Sequence, residues 1–374
     1  MWRCTTMTGV PWAGGTGRTY NERPRTNRTT PSRRRRESAR STRRLTSART
    51  CSVRWLASHQ RLGTLDVKPL VVVHEAGGAR GIVTVGMWQY LSLFLFGSTI
   101  QPLGPHVALT VGCSVGGLLS LLLASGFSPG EMRQLILDFS AEVFSEKRGP
   151  LCRLFRPKYK TDKLEGLLRA IFGGTRLGDL ETPVAVTAVD ASSPYPTPFL
   201  LKSWEIRYKD ISVVDAVLAT TAAPSYFEGH RLKLGSRTRT FLDGGFYAAN
   251  PIQEAIVESR ALKLQDPVFL GLGTGREKAY SASGSAIARK GALFWMTHAS
   301  DVFIGSSREA DAHIARKMLG DRYIRFDPML EQEYELDSLT PQVLDEFLHK
   351  GMEHVHHNLP LVAHLKRMLC QGGA

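Results

Sequence analysis

The sequence predicts an α/β fold, a three-layer α/β/α domain with a mainly parallel central sheet. Three observations predict it. From about Asp66 onward, short β-branched runs alternate with segments of helix length. The first two runs, LVVVH at 70–74 and HVALTV at 106–111, are apolar at nearly every position, as strands covered on both faces are. The window from Gly81 to Gly130 contains no Asp, Glu, Lys or Arg, so the helices that follow these strands are buried as well.

In chain order, the strand LVVVH leads to the helix-length GIVTVGMWQYLSLFLF, and HVALTV leads to the helix GGLLSLLLASG. TPVAVTAVD and PFLLKSW supply strands near 183–190 and 198–204, followed by a helix over 211–221, a strand RTFL at 239–242 and a helix from Pro251. A strand PVFLGL at 267–272 comes next. The C-terminal third reads as mostly helical apart from the strand-like RYIRF at 322–326. The expected organisation is a tail over 1–66 and one domain over 67–374.

The chain has 374 residues and a formal net charge of +14. That charge is not spread evenly. Residues 1–61 hold fifteen Arg, no Lys and only Glu22 and Glu37 as acids, which leaves the remainder close to neutral. The basic balance therefore says little about what the folded part binds, and no nucleic-acid partner is expected for it. The segment RPRTNRTTPSRRRRESARSTRRLTSART lacks periodic apolar residues and cannot offset chain entropy by burial, so the tail is expected to be disordered. Its Arg-rich, acid-poor composition also fits an organellar transit peptide. No apolar secretory stretch opens the chain, which favours an intracellular or peripheral membrane location. Five cysteines without C-x-x-C spacing suggest neither a disulfide framework nor a zinc site.

Val107–Gly126 is long enough to span a bilayer and carries Gly112 and Gly116 at G-x-x-x-G spacing. Against that reading, Pro102, Gly104 and Pro105 break the chain just upstream, the run begins β-branched, and no Lys/Arg cluster flanks it. No transmembrane segment is expected. The alternative explains more residues. In G-x-S-x-G between a strand and a helix, Ser114 occupies a strained turn that exposes its hydroxyl, and Gly112 and Gly116 give the clearance the turn requires.

A nucleophilic serine needs backbone donors where negative charge develops. EAGGARGI at 75–82 follows the first strand and opens a helix. Its glycines let amides approach a ligand, and the helix N-terminus adds positive potential. Gly77, Gly78 and Gly81 are the candidate oxyanion-hole positions, with Arg80 reinforcing the field; a plain turn or a nucleotide loop is the bland alternative. GLGTG at 271–275 carries only a weak nucleotide signal. In FLDGGFYAANP at 241–251 a strand ends in Asp243, followed by Gly244 and Gly245. Asp243 could take the Ser114 proton directly, helped by an apolar pocket that raises its basicity, or could simply cap a turn.

The strand plus EAGGARGI, then GCSVG, then DGGFYAANP, in that order, resembles the patatin-like phospholipase family, whose pattern is D-G-G-G-x-R-G, G-x-S-x-G and D-G-G or D-G-A. ATTAAPSYFEG at 219–229, LGTG and YIRFDPML are similar to family segments too, and the resemblance covers roughly residues 67–350. It implies a lipid acyl hydrolase of phospholipase, lysophospholipase or acylglycerol lipase type. Ser114 would be the nucleophile and Asp243 the base of a Ser-Asp dyad; Gly77, Gly78 and the adjacent backbone would form the oxyanion hole. It also implies no metal or other cofactor, a lipid substrate, and peripheral contact with a membrane or lipid-droplet surface. Glu75 and Ala76 depart from the family's Asp and first Gly.

Two other readings stay open. An α/β-hydrolase with a Ser-His-Asp triad could use His298 or His313, and a catalytically silent lipid-binding member of the fold would keep the architecture alone. His349, Glu353 and His357 share helical spacing and read as a solvated face rather than a metal site. Cys113 reads as a small buried neighbour of Ser114. FSEKRGPLCRLFRPKYK at 144–160 mixes Phe144, Leu151, Leu154 and Phe155 with basic residues; it could meet an anionic lipid surface or be a packed connection.

Overall fold

The computed structural model describes residues 67–143, 147–149, 156–276, 289–331, 334, 337 and 340–370. The tail over 1–66 and the Phe144, Leu151, Leu154 and Phe155 cluster lie outside them.

The described strands form one sheet. β1 (Leu70–His74), β2 (Leu109–Cys113), β3 (Val184–Asp190), β7 (Val268–Leu272) and β8 (Tyr323–Phe326) run parallel in the order β3-β2-β1-β7-β8. β4 (Thr197–Lys202), β5 (His230–Leu234) and β6 (Arg237–Asp243) extend it antiparallel beyond β3. The sequence shows why. Every residue of β1, β2, β3 and β7 is buried, whereas β4 begins with two exposed residues and β5 is exposed at every second position. A doubly covered parallel core thus gives way to an antiparallel edge with one wetter face. β5 is the strand the sequence did not predict: HRLKL is charged at every second position and looks like a loop.

Along β1 the apolar residues divide between two cores, as a period of two requires. Leu70 and Val72 join one cluster with α1 (Gly81–Phe96), α2 (Val115–Ala124), α5 (Val213–Thr220), α9 (Pro341–His357) and α10 (Leu359–Cys370). Val71 and Val73 join another with α7 (Ile252–Ala261) and α8 (Ala292–Leu319). The domain is therefore a three-layer α/β/α sandwich. Three further helices are α3 (Pro129–Val143), α4 (Thr161–Phe172) and the short α6 (Gly245–Ala248). Among the described residues, no helix is long and apolar enough to cross a membrane. The uncharged stretch folds as β2 and α2, with β2 starting at Leu109 rather than at His106, because Gly104–His106 forms a 3-10 turn.

The register around β3 positions the site. β4 occupies one edge of β3; the other edge is shared, with Cys113 of β2 opposite Thr187 and Asp243 of β6 opposite the next residue, Ala188. Because β2 runs parallel and β6 antiparallel to β3, their C-terminal ends meet head to head.

Candidate active site

Ser114 stands where β2 turns into α2, with φ 56° and ψ −125°. A positive φ is costly for a residue with a Cβ, of order 1–3 kcal/mol, and holds only where the surroundings over-determine it. They do so here. A Cβ on Gly116 would lie 2.3 Å from the His74 carbonyl oxygen, and one on Gly112 would lie 2.2 Å from the Gly116 carbonyl oxygen. Both glycines are therefore required by backbone clearance. The Ser114 amide donates to Thr220 Oγ1 at 3.0 Å, which pins the turn to the end of α5.

Ser114 Oγ donates to Asp243 Oδ2 at 2.6 Å. The other carboxylate oxygen accepts from the Gly245 amide at 2.7 Å, and Cys113 Sγ lies 3.8 Å from it. Asp243 is buried, and burial lifts its pKa from an ordinary 3.8 to about 6, despite the stabilising bonds from Ser114, Gly245 and Cys113. A carboxylate so placed is a better proton acceptor than a solvated one. A Cβ on Gly244 would come within 2.1 Å of Thr187 Oγ1, so that glycine lets the base turn lie against β3. The Cys113 thiol is pushed up, first by burial and then by the Asp243 charge, and stays protonated.

The glycine-rich loop lies against the nucleophile turn: a Cβ on Gly81 would fall 2.4 Å from Val115 Cγ2. Gly78–Arg80 form one 3-10 turn that leads into α1, with Gly78 at φ 57°. Gly77 is buried and Gly78 half-buried, and among the described residues neither amide donates to a protein acceptor. An unpaired buried amide is rare and calls for an explanation, and that of Gly77 is one. Arg80 is buried, and its Nε donates to the Gly77 carbonyl at 3.4 Å, so the guanidinium braces the loop from within.

Beneath this loop His74 is buried and neutral; burial lowers its pKa to about 3. Trp88 Nε1 donates to its Nε2 at 2.8 Å, which leaves Nδ1 to donate to Ser120 Oγ at 2.8 Å. Thr110 Oγ1 also reaches Ser120 Oγ, at 2.9 Å. This network ties β1, β2, α1 and α2 together under the site.

Sequence reasoning singled out Ser114, Asp243, Arg80 and seven glycines, Gly77, Gly78, Gly81, Gly112, Gly116, Gly244 and Gly245; the fold sets Ser114 against Asp243 and packs Gly81 against Val115, the residue after Ser114. It gave no role to Thr220, Thr187, Thr274, Arg308 or Arg325, although Thr220 lies in ATTAAPSYFEG, Thr274 in LGTG and Arg325 in YIRFDPML, three segments that resemble the family. Of the two histidines of the triad alternative, the described side chain, His313, makes no hydrogen bond to Ser114 or Asp243. His313 is exposed on α8, and the Asp243 contacts among the described residues include no imidazole. The His298 side chain lies outside the described residues. His349, Glu353 and His357 are exposed on α9, where Glu353 pairs with Lys350.

The patatin-like phospholipase family model matches residues 72–256. A cGAMP-activated phospholipase of Pseudomonas aeruginosa is 30% identical over 268 residues, covering 69% of this chain and 77% of that protein. One from Escherichia coli is 31% identical over 232 residues, covering 58% of this chain and 64% of its own length, so the chain spans less than two thirds of that relative. Among solved structures, VipD from Legionella pneumophila aligns with a TM-score of 0.41 at 13% identity, covering 80% of this chain and 67% of that one.

Proposed function

Because the chain belongs to the patatin-like phospholipase family, a family of lipid ester hydrolases, we propose that it cleaves carboxylic esters of glycerolipids through an acyl-enzyme on Ser114. The observation that carries the reading is the Ser114 Oγ to Asp243 Oδ2 hydrogen bond of 2.6 Å at a turn of positive φ. As Ser114 Oγ attacks the acyl carbonyl carbon, its proton passes to Asp243, and the carbonyl oxygen gains charge facing the free amides of Gly77 and Gly78. Collapse of the tetrahedral species expels the lipid alcohol, which takes the proton back from Asp243. Water then repeats the sequence: Asp243 accepts its proton, the acyl bond breaks, and the proton returns to Ser114 as the fatty acid leaves. Two easier displacements replace one difficult one, and each oxyanion donor typically contributes about 100- to 1000-fold in rate.

The substrate is drawn from a lipid surface. Phe246, three residues beyond Asp243, is 65% exposed, and Phe303 is 73% exposed on α8, against which α6 packs. Ile304 beside it packs on Ala76, Cys113 and Ala249. Two exposed aromatic side chains thus flank the site where an acyl chain would enter.

The test is product analysis on mixed phospholipids, lysophospholipids and acylglycerols with wild type, Ser114→Ala and Asp243→Asn. Release of free fatty acid should depend on both residues, and His313→Ala should retain it. A Ser114→Ala protein that still releases fatty acid at the wild-type rate refutes the reading; loss of activity in folded His313→Ala would restore the triad.

A further inference from the structure

Glu75, where the family pattern has Asp, is wholly buried at the start of the glycine-rich loop. Arg325 of β8 grips it with both ends of its fork, Nε to Oε1 at 2.7 Å and Nη2 to Oε2 at 2.9 Å. Arg308 of α8 adds Nε to Oε2 at 2.8 Å. Burial opposes ionisation of this carboxyl, but Arg308 and then Arg325 hold it below the usual carboxylate range. Asp327, just past β8, accepts from Arg325 Nη2 at 2.8 Å and from the Gly275 amide at 3.0 Å. The neighbouring Thr274 donates from Oγ1 to the Ala76 carbonyl at 2.7 Å, and it fills the space a Gly77 side chain would need, a Cβ there lying 2.1 Å from its hydroxyl oxygen.

These contacts converge on Glu75, Ala76 and Gly77, which lead into the 3-10 turn Gly78–Arg80; the unpaired amides are those of Gly77 and of Gly78, the first residue of that turn. The opposite side of the same backbone is pressed by Gly116, which approaches the His74 and Glu75 carbonyls. We infer that Thr274, Arg308 and Arg325 are positioning residues that aim the Gly77 and Gly78 amides, with the Glu75 carboxylate and the Ala76 carbonyl as the handles they hold. The glutamate departure is functional on this account. Asp would be one methylene shorter, about 1.5 Å, and with β1 fixed in register against β2 and β7 its carboxylate could not fill the fork of Arg325 and reach Arg308 together. A displacement of about 1 Å in a catalytic constellation costs on the order of 100-fold.

The inference rests on the proposed acyl hydrolysis, and two readouts separate its failure from the failure of that reading. In the full chain, with a short soluble p-nitrophenyl ester, Thr274→Val exchanges the hydroxyl for a methyl group and Thr274→Ser keeps the hydroxyl, while Glu75→Gln removes the charge the arginines hold. Thr274→Val and Glu75→Gln should lower kcat about 10- to 100-fold, with KM within about threefold and the acid limb of the pH profile, which belongs to Asp243, unmoved; Thr274→Ser should stay near wild type. Hydrogen exchange in the peptide spanning 75–81 should speed up about tenfold or more in Thr274→Val, and this readout needs no turnover, so it decides the matter even if wild type proves inactive. Should Glu75→Gln fail to fold, the Thr274 pair carries the test. Wild-type kcat with unchanged exchange in Thr274→Val overturns the inference, as does a loss of rate accompanied by a shifted acid limb.

Discussion

Replacing Asp243 by Asn should make the protein more stable while it abolishes activity. The magnitude follows from the buried carboxylate. Its pKa stands at about 6 against an ordinary 3.8, so at neutral pH the fold holds an ionised group in a site that prefers it neutral. One pKa unit is worth about 1.4 kcal/mol, which makes this cost about 3 kcal/mol. The sign is set by proton uptake. The folded pKa is the higher one, so as pH falls from about 6 toward 3.8 the folded state takes its proton before the unfolded chain does and the cost disappears. Asp243→Asn should therefore exceed wild type by up to about 3 kcal/mol above pH 7, and the gap should close by about pH 4. Urea unfolding at several pH values measures it, and the difference between the two proteins cancels every other titrating group, including His74. Turnover should drop at least about 100-fold, as expected on removing a general base. A variant less stable than wild type at pH 8, or a gap independent of pH, would refute the account of Asp243 as a desolvated carboxylate. The same pKa predicts that wild-type kcat/KM falls tenfold per unit below about pH 6.

Other outcomes can be checked alongside. Gly116→Ala places a Cβ 2.3 Å from the His74 carbonyl oxygen; backbone cannot yield as a side-chain tip can, so the loss should be about 3 kcal/mol or more by chemical denaturation, with Ser114 labelling by a fluorophosphonate lost as well. His74 has a folded pKa of about 3 against 6.5, so it contributes full stability above pH 6.5 and loses up to about 1.4 kcal/mol per unit below that, as the unfolded chain alone takes up the proton; His74→Gln should flatten this slope. Phe246→Ser with Phe303→Ser should reduce hydrolysis of phospholipid vesicles about tenfold or more and leave a soluble short-chain ester untouched; equal effects on both substrates would show that these side chains serve the dyad rather than the surface.

Much of this architecture can be read along the chain because it is local. A strand buried on both faces has to be apolar throughout, so β1, β2, β3 and β7 announce themselves, and a turn that exposes one hydroxyl between strand and helix needs Gly112 and Gly116 on either side of Ser114. The D-G-G step at Asp243 is legible for the same reason. β5 is not, since HRLKL lies at an edge where alternate residues face water and charge is tolerated.

What the sequence by itself determined is the set of candidate groups: Ser114, Asp243 and the glycines that clear space for them, the glycines dictated by backbone sterics within a few residues. What only the tertiary structure decided is how those groups meet and what aims them. The Ser114–Asp243 hydrogen bond forms because β2 runs parallel and β6 antiparallel along one edge of β3, which brings the two residues together across 129 residues of chain. The loop opposite them is held by Arg308 and Arg325, 233 and 250 residues beyond Glu75. No local pattern encodes such contacts, because a charge buried in a sheet is tolerable only with its partners in place, and the fold alone puts them there.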